Sequence, residues 1–68
     1  MLNTDNKKYT ETDGFQLMIS RIHARLTQIQ LARKVGLSQA RISLIERNET
    51  NATEDEVKRI KAVLEASG

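Results

Sequence analysis

Gln39, Ala40, Arg41, Ser43, Leu44 and Arg47 are the residues whose types and spacing bear most directly on chemistry. On a helix whose inward face is set by Ile42 and Ile45, the helical period turns Ala40, Ser43, Leu44 and Arg47 outward and leaves Gln39 and Arg41 on the flanks. That surface carries an amide, two guanidinium groups, a hydroxyl and short apolar groups. In the major groove of duplex DNA an amide pairs bidentately with adenine, a guanidinium with guanine, and a small apolar group meets the thymine methyl. Gln39, Arg41 and either Ala40 or Leu44 fit those roles in turn. A plainer reading stands beside this one. Gln39 and Arg41 can be solvated surface residues, and Ser43 can bond back to the carbonyl four residues earlier.

Catalysis has no comparable set. The chain of 68 residues has no Cys, a single His at position 23, and no Asp/Glu cluster at metal-ligand spacing. His23 therefore reads as a structural or surface residue, because a catalytic constellation needs a nucleophile, acid or base patterned with it. No metal or cofactor is implied, and neither disulfides nor zinc can staple the fold. No apolar run approaches the roughly 20 residues that span a bilayer. The start, Met1-Leu2-Asn3-Thr4-Asp5, lacks the basic and apolar regions of a signal peptide, so a cytoplasmic chain is expected.

The formal net charge of +2 says little, but its distribution says more. Between residues 15 and 47, Arg21, Arg25, Arg33, Lys34, Arg41 and Arg47 face Glu46 alone, a net of +5, while both flanks are acidic. A positive middle segment suits phosphate, whose neutralisation releases condensed counterions. The alternative is that these charges are solvated helix faces.

The elements that must position these side chains are helices. Pro is absent and no segment alternates with period two. Residues 1–13, polar apart from Leu2 and Tyr9, read as a flexible N-terminal arm, and residues 14–68 as one domain. Asp13 with Gln16 makes a capping-box pattern for a first helix. Its apolar residues Phe15, Met18, Ile19, Ile22 and Leu26 form the stripe expected to be buried, which places His23 nearer the core side.

Thr27 is the expected cap of a short second helix, Gln28 to Val35, ended by Gly36 in a left-handed turn. Ser38 caps a third helix to about Arg47, and Asn48 can adopt the left-handed conformation that ends it. Thr53 with Glu56 makes another capping box, and Glu54-Asp55-Glu56 complements the dipole of a last helix to about Ala66. Val57, Ile60 and Leu64 give that helix its stripe. Ile29 lies roughly opposite Leu31 and Val35 and points away from the core. A lone exposed Ile is ordinary, but it is also a candidate protein contact.

Residues 28–47 thus form two short helices joined by a tight turn on a Gly. Ala32 is the small residue at their closest approach, Gly36 follows four later and Ile42 six beyond that. This is the spacing of a DNA-binding helix-turn-helix. The stretch from Leu26 to Arg47, with its Thr27-Gln28 opening, Leu31-Ala32, Gly36, Ser38-Gln39 and Ile42-Ser43 elements in register, resembles the XRE family of Cro and phage-repressor type. The likeness continues more weakly to about Leu64. It implies an all-α, four-helix domain of the lambda-repressor-like type, with no enzymatic activity.

The resemblance also implies that Gln39, Ala40 and Leu44 meet bases, and that Gln28, Ser38 and the segment after the third helix hold phosphates. Helix N-termini suit phosphate on physical grounds as well. Where the family has Gly and then a basic residue, this chain has Asn48-Glu49 and departs from the pattern; Arg47 can substitute for that clamp, and Asn48 stands among the candidate DNA contacts. The family's first helix commonly offers an Arg to the Glu near the end of the third, which here would pair Arg21 with Glu46. The expectation is a transcriptional regulator, a repressor acting as a homodimer on a palindromic operator in double-stranded DNA. An antitoxin-like protein is the alternative: it neutralises a partner protein, through the arm or Ile29, and autoregulates its own operon. A pure interaction module without DNA is disfavoured by the basic middle segment.

Overall fold

Each helix begins where a side chain accepts a hydrogen bond from a first-turn N–H that has no partner within the helix. The computed structural model describes residues 9–67. Asp13 Oδ1 accepts from Gln16 N (3.1 Å) and opens α1, Gly14–His23. Thr27 and Gln30 bond reciprocally, Gln30 N to Thr27 Oγ1 (3.0 Å) and Thr27 N to Gln30 Oε1 (2.9 Å), and open α2, Gln28–Val35. Ser38 Oγ accepts from Arg41 N (3.0 Å) ahead of α3, Gln39–Glu46. Thr53 and Glu56 form the second complete box (2.9 and 3.1 Å) ahead of α4, Glu54–Ser67. The four-helix, all-α architecture is the one expected.

Gly36 ends α2 at φ 75° and Asn48 follows α3 at φ 61°, both left-handed. Leu31, Ala32 and Val35 of α2 meet Ile42 of α3 and Ile60 and Leu64 of α4 in one buried cluster, with Leu37 partly buried at the turn. Ala32 is 3% exposed, which fits a small residue where α2 and α3 converge.

The first helix differs from its expected packing. Phe15 and Ile22 are 56% and 55% exposed, Met18 and Ile19 are half-buried, and His23 is exposed rather than turned toward the core. The inward face instead carries Gly14, Leu17, Arg21 and Ala24. Leu26 lies beyond the helix, between Arg25 at φ 62° and the Thr27 cap, and packs on the core from there. The reason is a close approach. A methyl group at Gly14 would overlap the Ile45 carbonyl oxygen, so the backbone of α1 rests on the end of α3 at this residue. Asn48 fastens the same junction, its Oδ1 accepting from Gly14 N at 2.9 Å.

Residues 1–8 of the expected arm lie outside the described residues. Residues 9–13 lie against the loop before α4. Thr10 N donates to Ala52 O (3.0 Å), Ala52 N to Thr12 Oγ1 (2.9 Å), and Tyr9 makes an isolated antiparallel bridge with Thr53.

Ala is the better helix former, so Gly14→Ala would ordinarily stabilise. Here the overlap with Ile45 decides the sign. We expect a loss of about 1–3 kcal/mol, the usual scale of overpacking, seen as a fall in Tm of roughly 4 °C or more for a domain of this size. Thermal denaturation followed by circular dichroism measures it, and an unchanged Tm would show that the two helices do not meet at this residue.

Candidate nucleic-acid interface

The expected base-facing surface is built on the first turn of α3. Ser38 fixes the start of that helix, and Gln39 and Ala40 immediately after it are exposed. Ser43 and Leu44, one turn further on, are half-buried. Ile42 and Ile45, each 1% exposed, anchor the opposite face, as their spacing requires.

Gln39 does not stand free. Its Nε2 donates to Gln28 Oε1 (3.2 Å) at the start of α2, and Gln28 Nε2 donates to Glu46 Oε1 (3.0 Å) at the end of α3. Glu46 is held in turn by Arg21, with Nε to Oε2 at 2.6 Å and Nη2 to Oε1 at 3.2 Å. Arg21 Nη1 also donates to the carbonyl of Leu26 (2.8 Å), just before the α2 cap. The side chains of Arg21 and Glu46 are 12% and 3% exposed. A string of hydrogen bonds therefore runs from a buried ion pair to the first residue of α3. The Arg21–Glu46 pair that the resemblance implied is present. The double role of Gln28 was missed, and the signal for it was that same pair, since a Glu46 turned inward brings a carboxylate to the start of α2.

Arg41 lies otherwise than a base reader should. Its Nη2 and Nε donate to Glu56 Oε1 and Oε2 at 2.8 and 3.1 Å. The remaining donors reach Asn51 O (3.2 Å) and Thr50 Oγ1 (3.4 Å). With its side chain 25% exposed, Arg41 bolts α3 to the start of α4. The hydrogen bond from Arg41 holds the Glu56 carboxyl below the usual carboxylate range against the opposing effect of burial, and a weaker contribution comes from Thr53.

Arg47 sits at the end of α3, exposed, with long contacts from Nε to Ser43 O (3.4 Å) and Glu49 Oε2 (3.4 Å). Asn48 is exposed but uses its side-chain oxygen on Gly14. Arg25, Arg33 and Lys34 are exposed cations on and before α2, outside the set singled out from the sequence. Among the described residues no group of three His, Cys, Asp or Glu side chains could hold a metal ion, and no helix is long and apolar enough to cross a membrane.

A family model described as helix-turn-helix matches residues 17–67, three quarters of the chain. No curated protein sequence matches it.

Two outcomes follow from these bonds. Arg21→Met strands the Glu46 carboxylate in a buried site, and removing one partner of such a pair costs about 3–5 kcal/mol; denaturant unfolding should show a loss on that scale. Glu56→Gln keeps the capping box with Thr53 but removes the charge facing Arg41. Because folding lowers the Glu56 pKa, its stabilising contribution is present above the ordinary carboxylate range and is lost as pH falls through the lowered value. The Tm gap between wild type and Glu56→Gln should accordingly be widest near neutrality and close on acidification. A gap independent of pH would mean that Glu56 acts through shape alone.

Proposed function

The chain belongs to the XRE-type helix-turn-helix family and so to a class of DNA-binding regulators, and from that premise we propose that it is a sequence-specific repressor. It seats the first turn of α3 in the major groove of an operator and blocks transcription by occupying that site. The observation that carries this reading is the exposed, capped start of α3, where Gln39 and Ala40 face outward and Gln39 is braced by Gln28.

Gln39 retains amide capacity for an adenine edge, and Ala40 offers a methyl to thymine. Leu44 is a second apolar contact further along the helix, and half-buried Ser43 lies beside it. Ser38 and Gln28 stand at the starts of α3 and α2, where backbone N–H groups and the helix dipole favour phosphate. Arg47 supplies a cation at the far end of α3, and Asn48 adds backbone and amide groups there. Arg41 acts indirectly, by fixing the helix that carries the readers, so it neither chooses a base nor contacts a phosphate. A single α3 reaches few base pairs, so the repressor works as a homodimer on a roughly palindromic site, its half-sites about one helical turn apart.

Selection of bound duplexes from a random pool near physiological salt tests this directly, since specific and non-specific binding there differ by roughly 10³ or more. A two-fold symmetric motif is expected; binding without enrichment of any sequence would overturn the reading. Against the selected site, Gln39→Ala should lose about 1–3 kcal/mol and relax the preference at a single base pair. Arg41→Ala should lower Tm while leaving the ranking of sequences unchanged.

A further inference from the structure

Residues 9–12 run as a strap across the loop that joins α3 to α4, and the strap takes up polar groups that the loop does not satisfy by itself. Ala52 is 0% exposed, so its main-chain N–H and C=O are cut off from water. Thr12 Oγ1 accepts from Ala52 N at 2.9 Å, and Ala52 O accepts from Thr10 N at 3.0 Å and from the Thr10 hydroxyl at 3.4 Å. The Thr12 hydroxyl also donates to Thr10 O (3.2 Å), which ties the strap to itself and to the loop at once. Thr12 N donates to Asn51 Oδ1 (3.3 Å), and Tyr9 bridges Thr53. Each residue from Asn51 to Thr53 is thus held by the strap.

The same loop is what Arg41 hangs from. Asn51 O accepts from Arg41 Nη2 (3.2 Å), and Thr50 Oγ1 from Nη1 (3.4 Å). Thr53 caps α4 together with Glu56, whose two carboxylate oxygens meet the other face of that guanidinium. The hydrogen bond with Glu56 raises the Arg41 pKa against the opposing effect of burial, and the charge that Tyr9 gains on titration adds a smaller push the same way, which places Tyr9 near Arg41. A path of bonds therefore runs from the strap, through the loop, to the residue that fixes α3 and the exposed Gln39 and Ala40 at its start.

We propose that Thr12 is a positioning residue for DNA recognition: it holds the α3–α4 loop in the form that anchors Arg41, and so seats α3 without meeting DNA. The role rests on the repressor reading above for its purpose, while the path that carries it lies within the free protein. Without the hydroxyl, the buried Ala52 N–H has no partner, a state costly enough to make the loop rearrange toward water. Arg41 then keeps Glu56 and loses its hold on the loop. Every binding event must reorder the loop before α3 is seated, and that cost is common to all duplexes.

Thr12→Val removes the hydroxyl and keeps a β-branched shape suited to an extended strap; Thr12→Ser restores the hydroxyl. No helix contains the residue, so both variants should keep the wild-type circular dichroism well below Tm. On the duplex enriched by wild type, Thr12→Val should raise Kd roughly 2- to 30-fold, the scale found for residues that act through a network. The factor should be the same on single-base variants of that duplex, and Thr12→Ser should return Kd toward wild type. Thr10→Pro deletes the companion bond to Ala52 O and should act in the same direction. On an Arg41→Ala background Thr12→Val should add little, because both changes cut one path. In the free protein, the NMR signal of the Arg41 Nε–H should shift in Thr12→Val and return in Thr12→Ser.

A residue that only stabilised the fold would lower Tm and leave Kd unchanged where both proteins are folded, and one that touched DNA would add its own loss to that of Arg41→Ala. An unchanged Kd for Thr12→Val, a full further loss on the Arg41→Ala background, or an unmoved Arg41 signal would each overturn the proposal. If wild type enriches an operator that Thr12→Val binds equally well, the positioning role falls and the repressor reading stands. If wild type enriches no sequence, the reading falls and the role falls with it.

Discussion

The geometry of this domain depends on one buried ion pair. Glu46 comes from the end of α3 and Arg21 from α1, and the same guanidinium reaches the backbone just before α2. Three helices are thereby tied at one point. Taking two charges out of water costs several kcal/mol per ion, and the cost is offset only where the geometry is good and every lone pair is used. Here the geometry is good and both carboxylate oxygens are bonded. Arg21 meets the carboxylate with two nitrogens, Gln28 takes a further bond to Oε1, and no buried side-chain nitrogen or oxygen among the described residues lacks a partner. Shifting or rotating one of these helices breaks the bonds and leaves a buried charge unpaired.

That constraint matters here because the helices are short. An isolated helix below about 12–15 residues is marginal in water, and α2 and α3 have eight residues each. Their ends are held by other elements. Asn48, just beyond α3, accepts from Gly14 at the start of α1, and Arg59 of α4 donates to Val35 O, the last carbonyl of α2, at 2.6 Å. Glu56 serves twice, capping α4 and gripping Arg41 of α3. Local caps close the starts of α2 and α3, while side chains from other elements hold the end of α2 and the junction beyond α3.

What was legible in the sequence divides along the same line. Caps at Asp13, Thr27, Ser38 and Thr53, and left-handed turns at Gly36 and Asn48, depend on residues within a few positions of each other, and local chemistry identifies them. The core from Leu31 to Leu64 follows because apolar periodicity and burial agree there. The face of α1 was misread because its contact with α3 is made by a Gly and an Arg, neither of which counts as apolar, while the larger apolar residues lie on the other side. The ion pair of Arg41 with Glu56 was not legible for a related reason. That partner lies fifteen positions away in an acidic run that the dipole of α4 already explains, so nothing local marked it as the residue that pairs with Arg41.

In the proposed reading, the pairing of Arg41 with Glu56 sharpens the functional problem. With Arg41 so held, the exposed residues are Gln39 and Ala40 at the start of α3 and Arg47 just past its end, with Ser43 and Leu44 half-buried between them. A helix of eight residues is about 12 Å long, so so few side chains distinguish only a few base pairs. A few base pairs cannot select one site among the millions that a genome offers. In the proposed reading, discrimination must come from repetition, with two copies at a fixed spacing and mismatch costs that add across half-sites. Symmetry thus becomes a requirement of the recognition surface itself.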